Sequence, residues 1–207
     1  MPVKLGLFMM PLHDPARNYA EILEEDRQAI ILADRLGFSE AWVGEHISSW
    51  SERITAPLTF LATVIGETRQ IRFGTGVLNL PQTHPATVAA QVAMFDQLCD
   101  GRFIMGVGPG GLVSDMELFP APAPDARSAM AQEAVEIILK LWSNPPPYDI
   151  RGKYWTIALK DNLWPDFKVG WIPRPLQQPH PQIALSLVTP NSASAVIAGE
   201  RGWIPLS

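Results

Sequence analysis

The sequence predicts an α/β fold built on a parallel sheet. Short apolar runs alternate with segments of helical periodicity, so each strand returns to its neighbour by a crossover long enough to cover the sheet. The chain has 207 residues, 47% hydrophobic and 18% charged, which suffices for one sizeable core.

Residues 3–9, VKLGLFM, form an apolar run too short for a helix before Pro11 and read as a buried strand. From Tyr19 to Leu36 the residues Ile22, Ala29, Ile30, Ala33 and Leu36 recur at helical spacing. Acids crowd the early turns (Glu21, Glu24, Glu25, Asp26), where the helix dipole favours them, and Gly37 supplies the stop. The cycle repeats with SEAWVGEH (39–46) as strand, APLTFLATVIGE (56–67) as helix, IRFGTGVLNL (71–80) as strand, PATVAAQVAMFDQLC (85–99) as helix and GRFIMGVG (101–108) as strand. A helix of about five turns follows from Asp125 to Trp142.

There the rhythm breaks. Eight prolines between Ser143 and Pro181, with Tyr148, Tyr154 and Trp155 around Gly152, indicate a loop holding a small antiparallel hairpin. QIALSLV (182–188) resumes as a fifth strand, NSASAVIAGER (191–201) is a helix ending near Gly202, and WIPLS (203–207) opens a sixth strand. One domain spanning 1–207 is expected, with 143–181 as an insertion. A closed (β/α)8 barrel takes about 250 residues, and five or six units leave two exposed edges. A doubly wound open sheet and an incomplete barrel both fit this pattern.

The net charge of −5 and only 16 Lys and Arg, with no run of them, argue against nucleic acid or an anionic membrane as partner. A single cysteine, Cys99, excludes an intrachain disulfide. The N-terminal apolar run is too short for a signal peptide, and nothing reaches the roughly 20 apolar residues of a membrane span, so a cytoplasmic location is expected.

Among the motifs, GVGPGG (106–111) matches G-x-G-x-x-G but follows the fourth strand, contains Pro109, leads into the short LVSDMELFP and lacks a strand-end acid at the dinucleotide-binding distance. What survives is a glycine loop that either makes a tight turn or lets a planar or anionic group approach the backbone. The four histidines, His13, His46, His84 and His180, fall near strand ends or loops without H-E-x-x-H or H-x-H spacing, so no metal site is expected. No G-x-S-x-G elbow or Walker A sequence occurs, which removes serine-hydrolase and P-loop chemistry as leading options.

In WVGEH, period-2 alternation puts Trp42, Gly44 and His46 on one face and Val43 and Glu45 on the other, so only one of Glu45 and His46 points into a barrel. A histidine at a strand's C-terminal end is either hydrogen-bonded structure or, in the position where α/β folds place their sites, a catalytic group. Gly74 and Gly76 inside a strand mark a bend or the close approach of a ligand. Arg127, Asn191, Ser192 and Ser194 lie near predicted helix starts, where an arginine with hydroxyls suits a phosphate, although N-capping alone would explain the serines and the asparagine.

The blocks LGFSEAWVGEH, IRFGTGVLNLPQTHPATVAAQVAMFDQLCDGRFIMGVGPGG, SDMELF, the arginine of ARSAM and PHPQIALSLVTPNSASAVIAGERGW together resemble the bacterial luciferase-like flavin monooxygenases. They look closest to the limonene-monooxygenase-like subgroup. The resemblance implies a (β/α)8 barrel, here only its first five to six strand-helix units. It implies reduced FMN, supplied by a separate reductase, that reacts with O2 to give a C4a-peroxyflavin and oxygenates a small organic substrate.

Carried over by position, His46 matches the active-site histidine. Thr75 and Gly76 match the turn against the flavin ring, often with a non-proline cis peptide, and Gly108 matches backbone near the ring. Arg127, Asn191, Ser192 and Ser194 match the phosphate grip. Phe8, Met10, Trp42, Trp50 and Phe103 are candidates for the apolar cavity such chemistry requires. A homodimer through the helices after strands two and three is implied as well.

Two alternatives stand beside this one: an F420-dependent oxidoreductase of the same superfamily, and a non-catalytic flavin-binding or inactive module. Because the later strands would complete the pocket, the 207 residues alone are expected to show little or no activity, as a fragment or as a natural short homologue.

Overall fold

The computed structural model describes residues 3–123, 125–187 and 192–207. Its elements are β1 (Gly6–Met9), α1 (Tyr19–Arg35), β2 (Glu40–Val43), α2 (Pro57–Ala62), β3 (Arg72–Thr75), β4 (Leu78–Asn79), α3 (Pro85–Leu98) and β5 (Phe103–Gly108). There follow α4 (Val113–Leu118), α5 (Ala126–Ser143), β6 (Tyr148–Arg151), β7 (Thr156–Leu159), β8 (Gln182–Ser186), α6 (Ala193–Arg201) and β9 (Ile204–Leu206).

Local chemistry sets the helix ends. Asn18 caps α1 by accepting from the Ala20 and Glu21 amides, and Pro85 opens α3 at a position where a missing N–H costs nothing. The stretch expected as one helix over 56–67 is instead α2 followed by a 3₁₀ turn at Ile65–Glu67. The β-branched Thr63 and Val64 with Gly66 weaken the helix there, and the Thr68 hydroxyl takes the Val64 carbonyl. The strand expected over 71–80 divides into β3 and β4 at a cis Gly76–Val77 peptide. The segment VSDMEL forms the short helix α4, which sequence periodicity does not announce.

The main sheet runs β1-β2-β3-β5-β8-β9, parallel throughout, with β4 continuing the pairing of β3 along β5. Strands join in sequence order, each on the same side of the last. A doubly wound sheet would reverse that order at a switch point, so the alternative of an open doubly wound sheet is set aside and the architecture is a curled part-barrel.

The packing agrees. A large core between sheet and helices contains Val43, Phe73, Phe95, Phe103, Ile138 and Trp142, whereas the inner face buries a small cluster of strand residues, Trp42, Ile104 and Ala184, with Ile204 and Leu206 beside it. Inner glycines make room for that cluster. A Cβ on Gly74 would fall 2.3 Å from the Trp42 indole.

Buried or half-buried carboxylates tie the loops down. Asp34 accepts from the amides of Arg69, Gln70 and Ile71, and Asp96 accepts from the Gln177 amide and side chain. The hairpin β6–β7 lies where the proline-rich segment indicated it, antiparallel and off the main sheet. Its turn is held by Glu133 of α5, which accepts from the amides of Lys153, Tyr154 and Trp155 at 2.8 to 2.9 Å. No helix among the described residues is long and apolar enough to cross a membrane.

Candidate active site

The inner-facing positions converge at the C-terminal ends of the strands, where α/β folds of this kind place their chemistry. Register pairs Phe8 with Trp42 and Trp42 with Gly74, and Val43 with Thr75, so the next residues, Gly44 and Gly76, lie side by side. A Cβ on Gly44 would meet Met10 at 2.7 Å, and one on Gly76 would meet the Phe8 ring at 2.8 Å. The result is a floor of small residues rimmed by Phe8 and Met10, with His46 following at the end of β2.

His46 pairs through Nδ1 with Glu52 Oε2 at 2.6 Å, not with the adjacent Glu45. The loop from 47 to 54 that carries Glu52 is pinned at both ends. Asp115 of α4 accepts from the Ile47 and Ser48 amides at 3.0 and 2.8 Å and from the Ser48 hydroxyl. Buried Arg53 donates to the carbonyls of Pro15, Arg17 and Trp50 and stacks over the Trp50 and Tyr19 rings. Burial raises the Asp115 carboxyl, but the Ser48 hydroxyl and the two amides outweigh it, so the group sits below the usual carboxylate range.

Glu45 turns the other way, as alternation requires, and lines a cleft of about 420 Å³ under α2 and α3 with Leu58, Asn79, Met94 and Leu98. Burial pushes its carboxyl up to about 7, opposed by a hydrogen bond from the Asn79 backbone amide and reinforced by the Asp115 charge. The folded chain therefore keeps this proton up to about pH 7, while an unperturbed glutamate releases it near 4.5, so stability falls as pH rises between those values. Glu45→Gln is expected to match the parent near pH 4 and to exceed it by on the order of 2 kcal/mol near pH 8, read from urea unfolding.

The other predicted residues separate into groups. Thr75 is fully buried, and its hydroxyl donates to the Gly106 carbonyl at 2.7 Å and accepts from the Gly106 amide at 3.0 Å. That side chain fastens β3 to β5, and only its backbone borders the floor. Gly108 sits against Ser186 and Val77, whose atoms a Cβ would meet at 2.4 and 2.8 Å.

Gly108 and Ser194 do come together. They line one cleft of about 300 Å³ between the ends of β5 and β8 and helices α5 and α6, with Ser128, Gln132 and Ser186. Ser192 does not line it, because its hydroxyl caps α6 by accepting from the Ala195 amide. Arg127 also lies off that cleft. It is buried, donates to the Pro109 and Phe119 carbonyls, and leaves Nη2 without a partner among the described residues, close to Gly110. Asn191 lies outside the described residues.

Two of the apolar candidates are misplaced. Phe103 is fully buried in the outer core, its ring 5.1 Å from Phe95, because alternation gives the inner position to Ile104. Trp50 is 64% exposed and belongs to the Arg53 clamp. Sequence reasoning also missed Glu52, Asp115, Asn79, Ser128 and Ser186. Glu52 stands in an aperiodic loop, and only the SDMELF block drew attention near Asp115. Among the described residues, no group of three or more His, Cys, Asp or Glu side chains is placed to hold a metal ion.

The family model for luciferase-like monooxygenases matches residues 3–206. The chain belongs to this family. Within the luciferase-like monooxygenases it is 37% identical over 145 residues to a 4-hydroxyprotoasukamycin monooxygenase of Streptomyces nodosus subsp. asukaensis, covering 70% of this chain and 39% of that one. It is 38% identical over 141 residues to limonene 1,2-monooxygenase of Rhodococcus erythropolis, covering 67% and 36%.

Among solved structures, the oxygenating constituent of 3,6-diketocamphane monooxygenase from Pseudomonas putida, in complex with FMN, superposes with a TM-score of 0.87 at 26% identity. That match covers 99% of this chain and 57% of the other. The chain thus spans between about a third and three fifths of the length of these luciferase-like relatives.

Proposed function

We propose that this chain carries the flavin-facing part of a monooxygenase that uses reduced FMN and O2 to place one oxygen atom in a small organic substrate, the other leaving as water. The observation that carries the reading is the convergence of His46, the glycine floor at Gly44 and Gly76, and the apolar rim of Phe8, Met10 and Trp42 at one end of the sheet.

The residues present suit the cofactor. The hydroxyls of Ser128, Ser186 and Ser194 offer donors for a phosphate in the cleft by Gly108. The buried Nη2 of Arg127 is a charged donor without an acceptor among the described residues, which favours an anion nearby. Reduced FMN, when bound, would supply the two electrons that activate O2. The protein's share is to exclude water with Phe8, Met10 and Trp42 and to hold or take a proton at His46.

A reductase as a separate partner fits a relative named as an oxygenase component, the flavin-dependent trigonelline monooxygenase of Acinetobacter baylyi. The exposed Met94 and Leu98 of α3 and the cleft they border with Leu58 of α2 are proposed as the homodimer face.

The test supplies reduced FMN and ¹⁸O2 with a panel of cyclic terpenes and ketones to the gene product containing these residues and, separately, to the 207 residues. One ¹⁸O atom in the product is expected from the former and little or none from the latter. Flavin oxidation with only hydrogen peroxide released from both would refute the oxygenase reading and leave the inert flavin-binding module. Parallel titration with F420 decides between the two cofactors.

A further inference from the structure

We propose that Glu52 is the positioning residue for His46, fixing the imidazole as the Nδ1–H tautomer and so presenting Nε2 as a proton acceptor at the mouth of the part-barrel. The pair is 2.6 Å apart, and its side chains are 15% and 19% exposed, so water competes weakly for either partner.

A carboxylate only accepts. A neutral imidazole facing it through Nδ1 therefore carries its proton there, and Nε2 is left with a lone pair. Nε2 makes no hydrogen bond to any described residue, whereas Nδ1 is fully engaged. The backbone on either side of the ring is held as well. The His46 amide donates to the Ile54 carbonyl at 3.4 Å, Asp115 fixes the next two amides, and Glu52 donates its own amide to the Ser49 hydroxyl. The charged groups around the imidazole among the described residues are Glu52 on the loop, Asp115 on α4 and Glu45 beside it just past the end of β2, facing the α2–α3 cleft. Of these, Glu52 is the one hydrogen-bonded to the ring.

This separates two roles the sequence leaves open. A neutral His46 held this way takes a proton at Nε2 and donates there only after it has been protonated. The step from tautomer to base rests on the oxygenase reading, but the tautomer itself does not.

The experiment uses chain labelled with ¹⁵N-histidine, without flavin or substrate, at a pH where the imidazole is neutral. His46 is assigned by the signal that His46→Gln removes. In the parent, Nδ1 is expected to resonate as a protonated nitrogen and Nε2 as an unprotonated one. In Glu52→Leu the majority form is expected to invert to Nε2–H. A parent spectrum dominated by Nε2–H would overturn the proposal whether or not the variant folds, and so would an unchanged tautomer in a folded Glu52→Leu. Failure of oxygen incorporation with the predicted tautomer intact would count against the oxygenase reading alone.

Discussion

His46→Ala is expected to lower turnover of the proposed oxygenase about 10²–10⁴-fold, the range over which a positioned acid or base acts, while affinity for reduced FMN changes little. The imidazole stands at the end of β2 with one nitrogen engaged by Glu52 and the other free of described partners, so alanine removes the proposed proton-handling group without touching the glycine floor or the serine-lined cleft. The loop should survive, because Asp115 and Arg53 hold its backbone independently of the ring. Steady-state oxygen incorporation beside flavin titration checks this. A variant that loses flavin binding in proportion to turnover would mean that His46 only shapes the pocket.

Gly106→Ala is expected to cost more than about 3 kcal/mol, beyond the common range for overpacking, because the obstacle is backbone. A Cβ there would lie 1.7 Å from the Thr75 carbonyl oxygen and 3.3 Å from the Trp42 ring. No side-chain rotation relieves the first of these. The strands would have to part where the Thr75 hydroxyl bridges both backbone groups of Gly106. Urea unfolding, with near-ultraviolet dichroism to report the inner tryptophan, measures the loss, and a variant of parental stability would refute the packing argument.

The order of strands and helices was legible because burial imposes it. Val43 and Phe103 face helices, Trp42 and Ile104 face inward, and the two periodicities record this in the chain. His46 was legible for the same reason, as an inner residue at a strand's end. The roles of the glycines were not. Gly74, Gly76 and Gly106 suggest room for a ligand, yet much of that room is taken by Trp42, Phe8 and the Thr75 backbone, which lie far off in sequence.

Nor were Glu52 and Asp115 legible, since an aperiodic loop gives no register from which to tell which acid turns inward. Arg127 stood out from its place near a helix start and from the resemblance, but its grip on the Pro109 and Phe119 carbonyls is a matter of three-dimensional reach. Phe103 was misassigned by choosing residue type over alternation.

The hairpin β6–β7 shares no ladder with the main sheet and is anchored to α5 through the single carboxylate of Glu133 and the Trp155 indole bonded to the Met130 carbonyl. Its turn packs on the first half of α5 and, through Trp155, against His84 at the start of α3, so it sits at the same end of the sheet as His46. Lengthening a surface loop costs little, so a change in the length of this turn would alter the border of that end of the sheet while leaving the ladder of the main sheet intact.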